Sequence, residues 1–129
     1  MSSTAPLEDG VVLVAGDTIV HVGERGEVAL PEEPGIEAID ASGQWVIPGL
    51  MDLHTHPGSY EGDEQRDALE TLLALGISDR LGSLEAGKLA DLVVLSADPH
   101  TDIANARAIT IVVKGGRVFR PQDLLSHRR

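Results

Sequence analysis

The pattern of apolar and polar positions at the start of the chain predicts a β-hairpin. An apolar run at 11–15 is followed by Gly16-Asp17 and then by a second run, rich in β-branched residues, at 18–22. A Gly-Asp pair between two such runs is typical of a tight hairpin turn, because both residues tolerate left-handed backbone conformations. Two further short strands are predicted at 36–40 and 44–47, and Pro48-Gly49 ends the second of them.

The middle of the chain has a different periodicity, which predicts a helix over 63–75. Charged residues occupy the side opposite to the apolar positions, which recur at helical spacing at Ala68, Leu69, Leu72, Leu73 and Leu75. Asp63 is suited to cap the N-terminus of this helix, and Gly76 is suited to follow its C-terminus. The apolar face predicts that the helix docks on the rest of the protein.

Strand patterns return in the C-terminal part of the chain, at 90–95, 108–113 and 118–119, with a hairpin turn at 114–117. Asp91 is expected to cap a turn. A turn is predicted at Asp98-Pro99, one helical turn at 101–106, and a polar tail at 122–129 that forms a frayed helix. Strands at both ends with a helix between them predict a mainly β protein, a composite β-sandwich formed from N- and C-terminal segments.

Composition narrows the classes of function. A length of 129 residues favours one domain, and a single Trp, Tyr and Phe leave the core to aliphatic side chains. The formal net charge of −11 argues against a nucleic-acid or membrane partner. The absence of cysteine excludes disulfides and thiolate metal ligands. No signal peptide or membrane span of about 20 apolar residues is visible, so a cytoplasmic location is expected.

Candidate chemistry is concentrated in His54 and His56, at the end of an apolar run. Side chains two positions apart in a strand lie on the same side, and two imidazoles in that arrangement can bind one divalent metal ion. A catalytic zinc site typically needs three protein ligands and an open position. The other histidines are His21, His100 and His127, and each lies in a separate segment. The pair by itself therefore predicts half of a metal site.

Several segments resemble the amidohydrolase superfamily of metal-dependent hydrolases. The run at 39–56, which ends in Pro-Gly-Leu-Met-Asp-Leu-His-Thr-His, resembles the segment that leads into the family's barrel. The runs at 6–14, 79–95 and 111–118 resemble parts of its accessory β-sandwich. Asp98-Pro99 and Asp102-Ile103 suggest the imidazolonepropionase-like or prolidase-like branch. The resemblance implies hydrolysis of non-peptide C–N bonds in amides or lactams, with His54 and His56 binding zinc or another divalent metal.

The same resemblance indicates that most of the catalytic barrel is missing. In the family, a (β/α)8 barrel of roughly 250 residues separates the two halves of the sandwich, whereas residues 57–78 separate them here. The implied organisation is a composite β-sandwich from 1–49 and 79–121, a remnant of the first barrel strand and one helix at 50–78, and a tail at 122–129. The junction has two interpretations, since 65–77 resembles the first barrel helix and 74–80 resembles the end of the last.

Alternative functions follow from this organisation. The resemblance implies a metal-dependent hydrolase that is catalytically incomplete as an isolated chain, and no catalytic residue is assigned. The alternative is a non-catalytic β-sandwich remnant or an interaction module. Without a barrel, Leu50, Met51 and Leu53 would leave apolar surface uncovered, and exposed strand edges would also favour a homo-oligomer. A small-molecule substrate is expected only if a complete site exists.

Overall fold

The computed structural model describes residues 6–29, 31, 34–50 and 76–125. The described part contains six strands and two short helices, which in chain order are β1 (Gly10–Ala15), β2 (Thr18–Glu24), β3 (Trp45–Pro48), β4 (Leu92–Leu95), a 3₁₀-helix (Ile103–Arg107), β5 (Ile109–Lys114), β6 (Arg117–Phe119) and α1 (Pro121–Leu125). The helix predicted at 63–75 lies outside the described residues.

The first two strands form the hairpin that the sequence predicts. β1 and β2 are antiparallel, with Val12 opposite Val22 and Leu13 opposite His21. Gly16 in the turn has a φ of 62°, a left-handed value that glycine adopts without a steric penalty. The register shifts after Leu13, which adds one residue to β2 and bends the hairpin.

The other four strands form one antiparallel sheet in the order β3-β4-β5-β6. β3 comes from the N-terminal part of the chain and pairs with β4 from the C-terminal part, placing Trp45 opposite Leu95 and Ile47 opposite Val93. All four residues of β4 are buried, as expected for a continuous apolar run in a central strand. The sheet is therefore composite, and this pairing joins the two parts of the chain.

One face of the four-stranded sheet carries the main apolar cluster, formed by Leu92, Val94, Ile111 and Val113. Half-buried side chains from both parts of the chain pack against it, namely Val12, Ile39, Ala41, Leu84 and Val118. Because Val12 belongs to β1, the hairpin is held against this face. The mainly β fold with antiparallel sheets is confirmed, whereas the assignment of this arrangement as a β-sandwich accessory domain stays a prediction.

Backbone contacts fix the hairpin on the segment that leads into β4. Ile19 of β2 donates to the carbonyl of Lys88 and accepts from the N–H of Gly87, each at 2.8 Å. The turn at Gly16 lies directly against the turn between β5 and β6. A Cβ atom at Gly116 would overlap the Gly16 carbonyl oxygen and lie 2.9 Å from its carbonyl carbon. Only glycine at this position allows the two turns to touch.

The strand predicted at 36–40 is wrong, because this segment joins no sheet. The carboxylate of Asp40 accepts hydrogen bonds from the Ser42 hydroxyl at 2.6 Å and the Ser42 backbone N–H at 2.9 Å. These bonds turn the chain before β3, and they also hold the pKa of Asp40 below its ordinary value. Ile39 still packs on the core cluster, which explains the apolar pattern.

The two short helical segments predicted near the C-terminus are helical in the structure. The predicted helical turn at 101–106 is the 3₁₀-helix, and Asp102 caps it by accepting from the backbone N–H of Ala104 at 2.8 Å. The start of the polar tail is helical in α1, which begins at Pro121, one residue before the predicted tail; residues 126–129 lie outside the described part.

Candidate functional site

The strand that leads toward the predicted metal ligands ends against the start of β4. Beyond Pro48, the backbone N–H of Gly49 donates to the Asp91 carbonyl at 2.8 Å. A Cβ atom at Gly49 would lie 3.2 Å from the backbone and Cβ of Asp91, so a larger residue would push the two segments apart. His54 and His56 follow this point and lie outside the described residues.

Asp91 connects this point to the turn between β5 and β6. Its Oδ1 accepts from the Gly115 backbone N–H at 2.7 Å, and its Oδ2 accepts from the Lys114 ammonium group. Burial alone would raise the pKa of Asp91, but the hydrogen bonds from Lys114 and Gly115 and the charge of Lys114 outweigh it and lower that pKa below its ordinary value. The expected turn-capping role is confirmed.

Lys88 organises the loop that precedes β4. Its Nζ donates to the Ser83 hydroxyl at 2.6 Å and the Ser78 carbonyl at 3.0 Å, and lies 3.4 Å from a carboxylate oxygen of Glu85. Only 14% of the Lys88 side chain is exposed, so these acceptors compensate for lost hydration of the charge. Sequence reasoning missed this role. The available signal was a lone lysine immediately before the apolar run Leu89-Ala90.

A cleft of about 370 Å³ lies beside the end of β3. Its described walls come from the residues after β3, the loop before β4, and strands β4 and β5, and they include Leu50, Leu81, Leu89, Val93, Val112 and Lys114. The volume is near the lower limit of typical ligand pockets. The lining polar side chains Ser83, Asp91 and Lys114 are bonded to other groups of the protein. The cleft therefore offers an apolar packing surface, with no free nucleophile or base among these residues.

The two described histidines lie on different elements of the fold. His21 is exposed on β2, opposite Leu13. The His100 ring lies 5.8 Å from the Trp45 ring, inclined at 56°, in the turn after Asp98-Pro99. Within 6–29, 31, 34–50 and 76–125, no group of three or more His, Cys, Asp or Glu side chains could hold a metal ion. His127, like the predicted pair, is outside these ranges.

The described residues contain no candidate membrane-spanning helix. None of the helices in this part of the chain has the length and apolar character required to cross a bilayer.

Several known proteins and one protein family are similar to this chain in sequence. Residues 70–119 match the profile of the Amidohydrolase family. The chain is 29% identical to an imidazolonepropionase of Hyphomonas neptunium, over 95% of this chain and 33% of that protein. It is 36% identical to an imidazolonepropionase of Haloarcula marismortui, over 78% of this chain and 24% of that protein. A crystal structure of a Xaa-Pro dipeptidase with bound methionine is 41% identical over 40% of this chain and 13% of that chain, with a TM-score of 0.37.

These matches confirm the resemblance to the amidohydrolase superfamily that was found in the sequence, and members of that superfamily are generally metal-dependent. The chain spans a third of the length of the first relative and about a quarter of the second.

Proposed function

We propose that this chain carries the β-domain and the first histidine pair of a metal-dependent hydrolase of non-peptide C–N bonds, and that it is catalytically incomplete by itself. The carrying observation is the asymmetry of the match with the imidazolonepropionase of Hyphomonas neptunium. That match includes 95% of this chain but only 33% of the relative. Nearly every segment here thus has a counterpart, while most of the relative has none in this chain.

The chemistry of the family explains why a histidine pair is insufficient. When bound, a divalent metal lowers the pKa of a water molecule and polarises the carbonyl of an amide. His54 and His56 are the residues that would hold it, and they leave a catalytic zinc site short of at least one protein ligand. The described residues contain no group of three or more His, Cys, Asp or Glu side chains that could complete such a site by themselves. The pair is therefore expected to bind zinc or another divalent ion weakly.

The β-domain has a supporting role in this proposal. The hydrogen bond from Gly49 to Asp91 and the contacts of Asp91 with Lys114 and Gly115 fix the end of β3. The strand predicted to bear His54 starts directly after that end. These contacts would position the base of that strand while taking no part in the reaction.

The experiment compares metal binding and hydrolysis in the purified chain and its histidine variants. We expect Zn²⁺ titration to show weak binding that is lost in His54→Ala and in His56→Ala. The matched control His21→Ala, at an exposed position on β2, should bind as the unchanged protein does. No variant should hydrolyse a panel of N-acyl amino acids and lactams, including an imidazolone. Tight binding of one or two ions per chain, with turnover abolished by His54→Ala, would contradict the proposal.

The proposal also includes the type of bond that is cleaved and the cellular compartment of the protein. The curated relatives named above are imidazolonepropionases, and the cleaved bond proposed here is a non-peptide amide or lactam C–N bond. A chain without cysteine is compatible with a reducing compartment, and the cytoplasm is the proposed location.

A further inference from the structure

The strand edges in the described part of the protein differ in how they are protected. β3 is four residues long and ends in Pro48, and β6 is three residues long and begins with Arg117. The outer side of β2 is occupied where Ile19 exchanges backbone hydrogen bonds with Gly87 and Lys88. Short length, proline, charge and cover are the usual means by which proteins prevent edge-to-edge pairing. The outer edge of β1 contains neither proline nor charge, and no other described residue forms a backbone hydrogen bond with it.

The free edge of β1 presents backbone groups at regular intervals. Its six residues, Gly10–Ala15, contain neither a charge nor a proline. The N–H of Arg25 donates to the Asp9 carbonyl at 3.0 Å, which shows that Asp9 faces β2. Because an antiparallel ladder alternates, the N–H and C=O groups of Gly10, Val12 and Val14 point away from β2. No backbone hydrogen bond outside the strand ladder joins these three to another described residue.

We propose that β1 pairs antiparallel with β1 of a second copy of this chain, around a twofold axis at Val12. In this register, Val12 lies opposite the partner's Val12, and Gly10 lies opposite the partner's Val14. The outward-pointing backbone groups then match one another across the axis, as a self-complementary interface requires. The two hairpins become one four-stranded sheet in the order β2-β1-β1-β2.

Side chains in this register favour the pairing despite the net charge of −11. β1 itself contains no carboxylate, and Glu8 and Asp9 lie in the turn that precedes it, so no two carboxylates face each other along the paired strands. Asp9 also forms an ion pair with Arg25 at 3.1 Å. Val11 lies opposite the partner's Leu13, which gives apolar cross-strand pairs of the kind that stabilise sheets. Neither predicted metal ligand takes part, so the pairing and the proposed hydrolase role can fail separately.

The test compares two variants that add the same charge at different places. Val14, on the free edge of β1, is 38% exposed, and Val20, on β2, is 49% exposed. We expect sedimentation velocity to show reversible dimers of the unchanged chain. Val14→Glu should weaken dimerisation about tenfold or more, because its carboxylate would lie opposite the partner's Gly10 and on the same face as the apolar Val12 pair. Val20→Glu carries the same net charge and should change the dissociation constant by less than about twofold.

Amide hydrogen exchange of the unchanged chain provides a second measurement that does not depend on a variant. The amides of Val12 and Val14 should exchange more slowly as protein concentration rises, whereas the amide of Leu13, which faces β2, should be insensitive to concentration. Three results would overturn the proposal: a monomer at all concentrations, equal weakening by the two glutamate variants, or exchange at Val12 and Val14 that does not respond to concentration.

Discussion

The hairpin β1–β2 and the four-stranded sheet are built from similar aliphatic residues, yet they are buried very differently. Every residue of β4 is buried, whereas no residue of β1 is. β4 has strands on both sides, while β1 has one neighbour and contributes a single residue, Val12, to the main cluster. The comparison shows that position within the sheets, and not composition, determines how far each of these two strands is buried.

The hairpin also depends on contacts outside itself. Ile19 is fully buried because β2 lies against residues 87–90, and the hairpin turn is in contact with Gly116. A two-stranded hairpin alone is marginal in water. We therefore expect the hairpin to be lost when its docking contacts are disturbed, and the four-stranded sheet to be lost only when its own core is disturbed.

The largest expected effect is that of Gly116→Ala, which would push the hairpin turn away from the four-stranded sheet. The added Cβ would overlap the backbone of Gly16, and the residue has a φ of 73°. We expect the free energy of unfolding to fall by about 4 kcal/mol, as left-handed strain and overpacking add together. Urea unfolding measures the change, and hydrogen exchange should show the loss first in β1 and β2.

Gly115→Ala is the matched control for this change. Gly115 has a φ of 54°, but nothing lies within 4 Å of the position that its Cβ would occupy. The cost should therefore be that of the backbone conformation alone, about 1 kcal/mol. Equal losses in both variants would show that the contact with Gly16 does not stabilise the fold.

Leu95→Ala tests the four-stranded sheet itself. Leu95 is completely buried at the end of β4, so the substitution removes apolar contacts and leaves a cavity. We expect a loss of about 3 kcal/mol in the free energy of unfolding. The control Val20→Ala, on the exposed side of the hairpin, should cost no more than about 0.5 kcal/mol. If the two substitutions cost the same, the difference in burial between the sheets would not reflect a difference in stability.

Asp91→Asn has the smallest expected effect and tests the junction between β3, β4 and the β5–β6 turn. The Lys114 side chain is 71% exposed, so we expect a loss of about 1 kcal/mol at neutral pH. Because folding lowers the pKa of Asp91, its carboxylate stabilises the protein above the unfolded pKa of about 3.9, and this contribution is lost as pH falls through the lower folded value.

Urea unfolding of both proteins across acidic pH measures this dependence. The stability difference between the unchanged chain and Asp91→Asn should shrink toward acid and persist up to neutral pH. The control Asp79→Asn, at an exposed acid in the loop before β4, should change the free energy of unfolding at neutral pH by no more than about 0.5 kcal/mol. A difference that grows on acidification would contradict the assigned interactions of Asp91.

Local sequence signals predicted the elements whose structure is decided by nearby residues. The Gly16-Asp17 turn, the continuous apolar run of β4 and the helical turn predicted at 101–106 each depend on neighbours along the chain, and the structure confirms them. The strand predicted at 36–40 was wrong because a side chain two residues away competed for the backbone. The hydrogen bonds of Asp40 with Ser42 formed a turn where alternation alone predicted a ladder.

The sequence by itself indicated the resemblance to the family and the two hairpins, because these depend on motifs and on periodicity among residues that are close along the chain. It also singled out His54 and His56, whose metal-binding role stays a prediction. Only the tertiary structure brought Gly116 against Gly16, Lys88 against Ser83 and Ser78, and β3 beside β4. It also left the edge of β1 open, because whether a strand gains a second neighbour depends on the packing of segments distant in sequence.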